Sequence, residues 1–350
     1  MTDLIQIWED GQLPVLPTSF NVTVPEIYQI EATSACNYEC PMCYRFFGER
    51  QNENSYFSLD LARRMIDRGD LEGSYFVEFQ LSGEPLLHPK LGELIQIIKR
   101  TGVKTGLSTN GSLLHPKAGR IAERNLEAIG YLDSITISID RIDEAGYEMY
   151  RPVKGSHRHG TQGPSFAFSA GELFDVVDLV MSTHKDLQVD LQIIELPGWE
   201  EQLEGLLGLI KQRGWERATA RTTPDCFILT RGEAPLSLLQ NREHEPCLNP
   251  FLSVTVLSNG KVVSCCFDFH GLNTYGDLNK NTLAEIWAGR EVKQLRQAHM
   301  TGKDLPLLCQ QCYMRSPVNI HFKFFRNWAG QKGYYLAPGR EDVKLDMKEK

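Results

Sequence analysis

Apolar positions along this chain follow two alternating rhythms. Runs rich in strand formers predict six strands: Ile27–Ala32, Tyr75–Leu81, Val103–Ser108, Ser134–Ile139, Leu187–Leu196 and Glu216–Thr222. Between them, apolar residues return at helical spacing. Leu59, Leu61, Ala62, Met65 and Ile66 predict a helix through Asp67, capped by Ser58. Leu91, Leu94, Ile95 and Ile98 predict another near 91–100, stopped by Gly102, and further helices are expected over 117–128, 173–183 and 201–213. Strands alternating with helices at this interval imply parallel βα units. Six strands are too few to close an eight-fold barrel, so the expected fold is α/β, an open (β/α)6 partial TIM barrel. In such folds ligands gather at the carboxyl ends of the strands.

Past residue 224 the rhythm stops. Asn259-Gly260 predicts a hairpin turn between 251–257 and 261–264. Tyr275-Gly276-Asp277-Leu278 follows, then a helix carrying Leu283, Ile286, Trp287 and Leu295. The expected division is a Pro-punctuated entry segment over 1–25, the barrel over 26–224, a second domain over 225–329 and a charged, loose tail over 330–350. Residues 151–166, with His157, Arg158 and His159, form either a solvated surface loop or a flap carrying acid–base or anion-binding groups.

Composition narrows the class. Hydrophobic residues at 41% and charged residues at 23% are ordinary for a globular protein. A net charge of −8 argues against a nucleic-acid binder. No apolar run approaches the roughly 20 residues that span a bilayer, and Met1-Thr2-Asp3-Leu4-Ile5 lacks the layout of a signal peptide. Nine cysteines in such a chain point to metal ligands or reactive thiols and to a cytoplasmic protein.

The chemistry starts at Cys36-Asn37-Tyr38-Glu39-Cys40-Pro41-Met42-Cys43, just after the first predicted strand. A four-iron cluster wants four thiolates, and three stand here, leaving one iron open to another ligand. A structural zinc site would need a fourth Cys or His, and none is near in sequence. Ser82-Gly83-Glu84-Pro85 follows the second strand, Ser108-Thr109-Asn110-Gly111 ends the third, and Ser138-Ile139-Asp140 ends the fourth. A glycine permits close backbone approach, and a carboxylate with carbonyls at a strand end can hold an ammonium group.

These motifs, in this order, resemble the radical S-adenosylmethionine (SAM) superfamily. The resemblance implies the same partial barrel, with Cys36, Cys40 and Cys43 holding a 4Fe–4S cluster whose open iron is chelated by SAM. It implies SAM contacts from Met42, Ser82, Gly83, Glu84, Pro85, Ser108, Asn110, Ser138 and Asp140, with Arg151 as a carboxylate partner or an external ion pair. The family usually has an aromatic residue where Met42 stands; a backbone contact to adenine survives that change, and ring stacking does not. The implied reaction takes an electron from a donor such as flavodoxin or ferredoxin, cleaves SAM, and abstracts hydrogen from an unactivated C–H bond.

A second cysteine set follows: Cys247, twelve residues, Gly260, four more, Cys265, and later Cys309-Gln310-Gln311-Cys312. It resembles the SPASM/twitch extension of radical SAM enzymes. With no cysteine after Cys312, the resemblance is to the single-cluster type, in which Cys247, Cys265, Cys309 and Cys312 ligate one auxiliary 4Fe–4S cluster. A four-cysteine zinc knuckle is the structural alternative. Cys226 is expected to be a buried thiol without a role. Cys266 adjoins Cys265, and strand alternation would send the two to opposite faces. Cys266 is then a packed residue, a ligand in place of Cys265, or a hydrogen-atom donor as in radical SAM epimerases.

The implied activity is hydrogen abstraction from a polar small molecule, such as a sugar or aminocyclitol, giving a ketone or an epimer. A maturase acting on a ribosomally made peptide is the competing enzyme, and a non-catalytic metal-binding scaffold is the reading from another class. No nucleic-acid or membrane partner is expected.

Overall fold

The computed structural model describes residues 25–43, 45, 55–152, 166–223, 247, 249–310 and 312. The entry segment up to residue 24, His157, Arg158, His159, Cys226 and the 330–350 tail lie outside the described residues.

Six parallel strands stand in chain order, as the alternating pattern predicts: β1 (Glu26–Ile30), β2 (Phe76–Phe79), β3 (Lys104–Thr109), β4 (Ser134–Ser138), β5 (Gln188–Ile194) and β6 (Ala218–Thr223). Helices Leu59–Asp67, Leu91–Lys99, Arg120–Ile129, Ala170–Thr183 and Trp199–Arg213 connect them. Ser58 caps the first helix, its hydroxyl accepting from Leu61 N. Alternate strand residues (Val77, Phe79, Leu107, Ile135, Ile137, Val189, Leu191) share one core with helix residues such as Leu94, Ile95 and Ile98. The intervening positions carry polar side chains and, by strand alternation, make the inner wall.

Three details depart from the sequence reading. The helix expected from residue 117 starts at Arg120, because Pro116–Ala118 forms a 3₁₀ turn and Gly119 takes φ +57°. A short helix, Glu144–Tyr150, was not foreseen; Asp143 caps it, and Tyr147 is its one buried residue. The helix expected to run from Leu283 to Leu295 is two, Leu283–Trp287 and Arg290–Thr301, divided at Gly289.

The C-terminal part does not start a sheet of its own. β7 (Ser253–Val256) pairs parallel with β1, and β8 (Lys261–Val263) and β9 (Thr274–Asp277) add antiparallel beyond it. Among the described residues one nine-stranded sheet results, in the order β6-β5-β4-β3-β2-β1-β7-β8-β9. No helix among the described residues is long and apolar enough to cross a membrane.

Candidate functional site

The first cysteine group follows β1, with Cys40 buried and Cys36 and Cys43 half-buried. Cys43 N donates to Cys40 O (2.9 Å), closing the loop on itself. Burial pushes the Cys36 thiol up to about 12, and Glu84 adds to it. Burial likewise raises Cys40, which feels Arg151, Cys43, Cys36 and Asp140. A single ion holds its ligands roughly 2–2.3 Å away, and no three Cys, His, Asp or Glu side chains among the described residues converge on such a point. The three thiols are instead grouped within electrostatic reach of one another, a soft donor set that suits an iron–sulfur cluster.

The strand-end motifs frame this loop. A Cβ on Gly83 would lie 2.0 Å from Thr33 O and 2.5 Å from Ala35 O, so only glycine lets the second motif press against the cysteine loop. Glu84 N donates to Ala35 O (2.7 Å). The Glu84 carboxylate is buried and accepts from Leu86 N (3.1 Å), Thr109 Oγ1 (2.7 Å) and Asn110 N (2.8 Å); burial nonetheless raises its pKa. The Asn110 amide donates to Asn37 Oδ1 (3.0 Å) and accepts from Ser112. Asp140, at φ +56°, pairs with Arg151 and accepts from Ile194 N (2.9 Å). The side chains of Glu84, Asn110, Asp140 and Arg151 are thus tied into the frame of the site, and Pro85 starts the buried turn after it. Met42 is buried beside Cys43, and Ser138 is half-buried at the end of β4.

Glu31 was not singled out by its sequence and proves central. Fully buried, it accepts from Ser82 N (3.4 Å) and Oγ, and from Ser258 N (2.9 Å) and Oγ (2.7 Å). One carboxylate therefore joins the end of β1, the Ser82–Pro85 motif and the turn after β7. Buried Arg45 adds a donor to Ser34 O and to Ser82 O (3.2 Å). The available signal was a charged residue at the end of an apolar strand, where an isolated carboxylate is rarely found.

The inner wall is polar and connected. Glu78 accepts from Tyr28 Oη (3.1 Å), Gln80 Nε2 (3.1 Å) and Ser108 Oγ (2.7 Å), so Ser108 faces β2. Arg221 donates twice to Gln192 Oε1 (2.7 and 3.1 Å), and Thr219 pairs with Asp190. Tyr28 reaches the wall from a bulge, where Ile27 opposes Val254 and Gln29 opposes Thr255.

The second cysteine group corrects one step of the sequence argument. β8 ends at Val263, so Cys265 and Cys266 lie in the turn after it, where Asp268 N donates to Cys265 O (3.2 Å). Strand alternation therefore does not apply to the pair. Cys265 is half-buried, with its neighbour Cys266 and then Cys309, Cys312 and Cys247 within electrostatic reach. Cys266 also lies within electrostatic reach of Tyr28, whose hydroxyl is raised by burial, then by Glu78, then by Cys266. Cys309 is on helix Leu307–Gln310, and none of the eight described cysteines forms a disulfide.

A parallel partial barrel with a cysteine triad after β1 and a second cysteine group on the same sheet defines an iron–sulfur enzyme class, and the comparisons identify it. The radical SAM superfamily model matches residues 30–161, and the SPASM iron–sulfur cluster-binding domain model matches 247–313. A Pyrococcus furiosus protein named tungsten-containing aldehyde ferredoxin oxidoreductase cofactor-modifying protein is 33% identical over 322 residues, 83% of this chain and 88% of its own. An AdoMet-dependent heme synthase of Nitratidesulfovibrio vulgaris is 28% identical over 146 residues, 42% of this chain but only 38% of its own length. The crystal structure of Streptococcus suis SuiB bound to precursor peptide SuiA shares the fold, with TM-score 0.56 at 13% identity over 84% of this chain and 70% of that one. The chain belongs to the radical SAM superfamily and carries a SPASM domain after its core. SAM and a 4Fe–4S cluster go with the core, and auxiliary iron–sulfur binding goes with the SPASM domain.

Proposed function

We propose that this chain removes a hydrogen atom from a C–H bond of a polar small molecule, leading to a ketone or an epimer. The observation that carries this reading is the hydrogen-bonded inner wall, where Glu78, Tyr28, Gln80 and Ser108 offer donors and an acceptor to hydroxyl or amino groups. In support, the Pyrococcus relative that matches along most of both chains is named for modifying a cofactor.

Cys36, Cys40 and Cys43 would hold the cluster. Met42, Ser82, Gly83, Glu84, Pro85, Ser108, Asn110, Ser138, Asp140 and Arg151 would form the SAM side. When bound, cluster and SAM supply a 5′-deoxyadenosyl radical that takes the substrate hydrogen. Glu84 keeps acceptor capacity for an ammonium group beyond its three protein donors, since each carboxylate oxygen has two lone pairs. Glu78 would orient a substrate hydroxyl and accept its proton in an oxidation, for which an auxiliary cluster held by Cys247, Cys265, Cys309 and Cys312 would supply the acceptor of the remaining electron. Cys266, near Tyr28, would give a hydrogen atom to the opposite face in an epimerisation, its S–H bond breaking as the C–H bond forms. The thiyl left behind would return to the thiol with an electron from the flavodoxin or ferredoxin donor and a proton from solvent. Cys247, Cys265, Cys309 and Cys312 would hold a single auxiliary 4Fe–4S cluster, with flavodoxin or ferredoxin as electron donor. A ribosomally made peptide is the second reading, supported by the SuiB likeness.

Fractionated cell extract separates the two. Under reducing, anaerobic conditions a protease-treated metabolite fraction should raise 5′-deoxyadenosine formation above the uncoupled background. Stimulation that protease treatment destroys would move the assignment to a peptide.

A further inference from the structure

Beside the second cysteine group stands a hydroxyl with no visible purpose in the protein. Tyr275 is buried in β9, and its Oη has no hydrogen-bond partner among the described residues. Buried tyrosine hydroxyls normally find a partner, and leaving one without destabilises the fold. Its position is built by the sheet. Val262 opposes Gly276 while Val263 opposes Thr274, so Tyr275 is the extra residue of a bulge. Bulges re-aim side chains.

Burial raises this hydroxyl, and Cys265, Cys309, Arg296 and Cys247 lie within electrostatic reach of it. Arg296 cannot accept a proton, because a guanidinium only donates. It is already engaged, donating to Pro250 O (2.8 Å) and lying 3.9 Å over the Trp287 ring. Of these groups the sulfurs can accept the Tyr275 proton, and they belong to three of the four cysteines assigned above to the auxiliary cluster.

We propose that Tyr275 donates a hydrogen bond to a sulfur of the auxiliary cluster and raises its reduction potential. The inference rests on the reading that Cys247, Cys265, Cys309 and Cys312 hold that cluster. A donor aimed at cluster sulfur stabilises the reduced state, which carries one more negative charge, and so makes reduction easier. The bulge puts the hydroxyl in place before any cluster is loaded.

Tyr275→Phe removes only a hydroxyl that the described residues leave without a partner, so the packing of the ring is kept. The full-length wild type and the variant are reconstituted anaerobically, and iron and sulfide are counted first. Potentiometric titration followed by electron paramagnetic resonance then gives the midpoint of each cluster. The proposal expects equal iron, a lower auxiliary midpoint in Tyr275→Phe and an unchanged midpoint for the cluster at Cys36, Cys40 and Cys43. It also expects the reduced auxiliary cluster of the wild type to couple to a solvent-exchangeable proton that the variant lacks. Equal auxiliary midpoints at equal iron would overturn the proposal and leave the cluster assignment standing. Wild-type protein with iron for only one cluster would overturn the assignment and the proposal together.

Discussion

Gly83 shows how little room single positions leave in this site. A methyl group there would meet two backbone carbonyls at 2.0 and 2.5 Å, and neither can swing aside as a side chain would. Gly83→Ala is expected to keep the barrel but displace the Ser82–Pro85 motif from the cysteine loop. SAM cleavage should fall by at least tenfold, the effect of about 1.4 kcal/mol on the barrier, while circular dichroism stays the same. Glu26 gives a pH signature. Burial, partly offset by the backbone N–H groups of Tyr75 and Phe76, raises its pKa from 4.5 to about 7. The folded state therefore prefers it protonated: its contribution to stability is complete below about pH 4.5 and is lost as pH rises through 7. Denaturant titrations should find Glu26→Gln more stable than wild type at alkaline pH, with the gap closing as pH falls toward the ordinary carboxylate range. Cys266→Ser separates the two products. If the thiol delivers hydrogen, the variant should still form 5′-deoxyadenosine but lose the epimer, and wild-type product made in D2O should gain one deuterium. Unimpaired ketone formation without deuterium would assign oxidation. The cysteines and strand-end motifs were legible because their spacing is itself the signal. Glu31, Glu78 and Tyr28 were not, because a polar residue within a strand run acquires meaning only once its partners from other strands are known.

Among the elements, the six barrel strands and their main helices could be read because each strand buries one face against a helix and each helix repeats its apolar stripe. Helix Glu144–Tyr150 could not, since it has a single buried residue and no period to detect. β9 was missed for a related reason: Thr-Tyr-Gly-Asp looks like a turn, and pairing with β8 makes it a strand. The join between barrel and second domain was likewise invisible, because β1–β7 pairing links residues more than two hundred positions apart. Glu31 locks that join from within. Glu31→Ala would remove the carboxylate that accepts from buried Ser82 and Ser258, and charged hydrogen bonds of this kind contribute about 1.5–3 kcal/mol each. A loss of about 3 kcal/mol or more is expected in equilibrium unfolding, together with lower retention of iron after reconstitution. An unchanged midpoint of unfolding would show that the join is held elsewhere.

At the scale of the molecule, one sheet carries both cysteine groups. Cys36, Cys40 and Cys43 follow β1, whereas Cys265 follows β8, two strands further along. Cys309→Ala combined with Cys312→Ala is expected to remove about half the iron of two four-iron clusters and to leave uncoupled SAM cleavage measurable. The most direct test of the account is iron content and 5′-deoxyadenosine formation in anaerobically reconstituted wild type and in Cys36→Ala, Cys40→Ala and Cys43→Ala. The account predicts about eight iron per wild-type chain, reductant-dependent SAM cleavage, and loss of that cleavage in all three variants. Cleavage at the wild-type rate after removal of any one of these cysteines would contradict it.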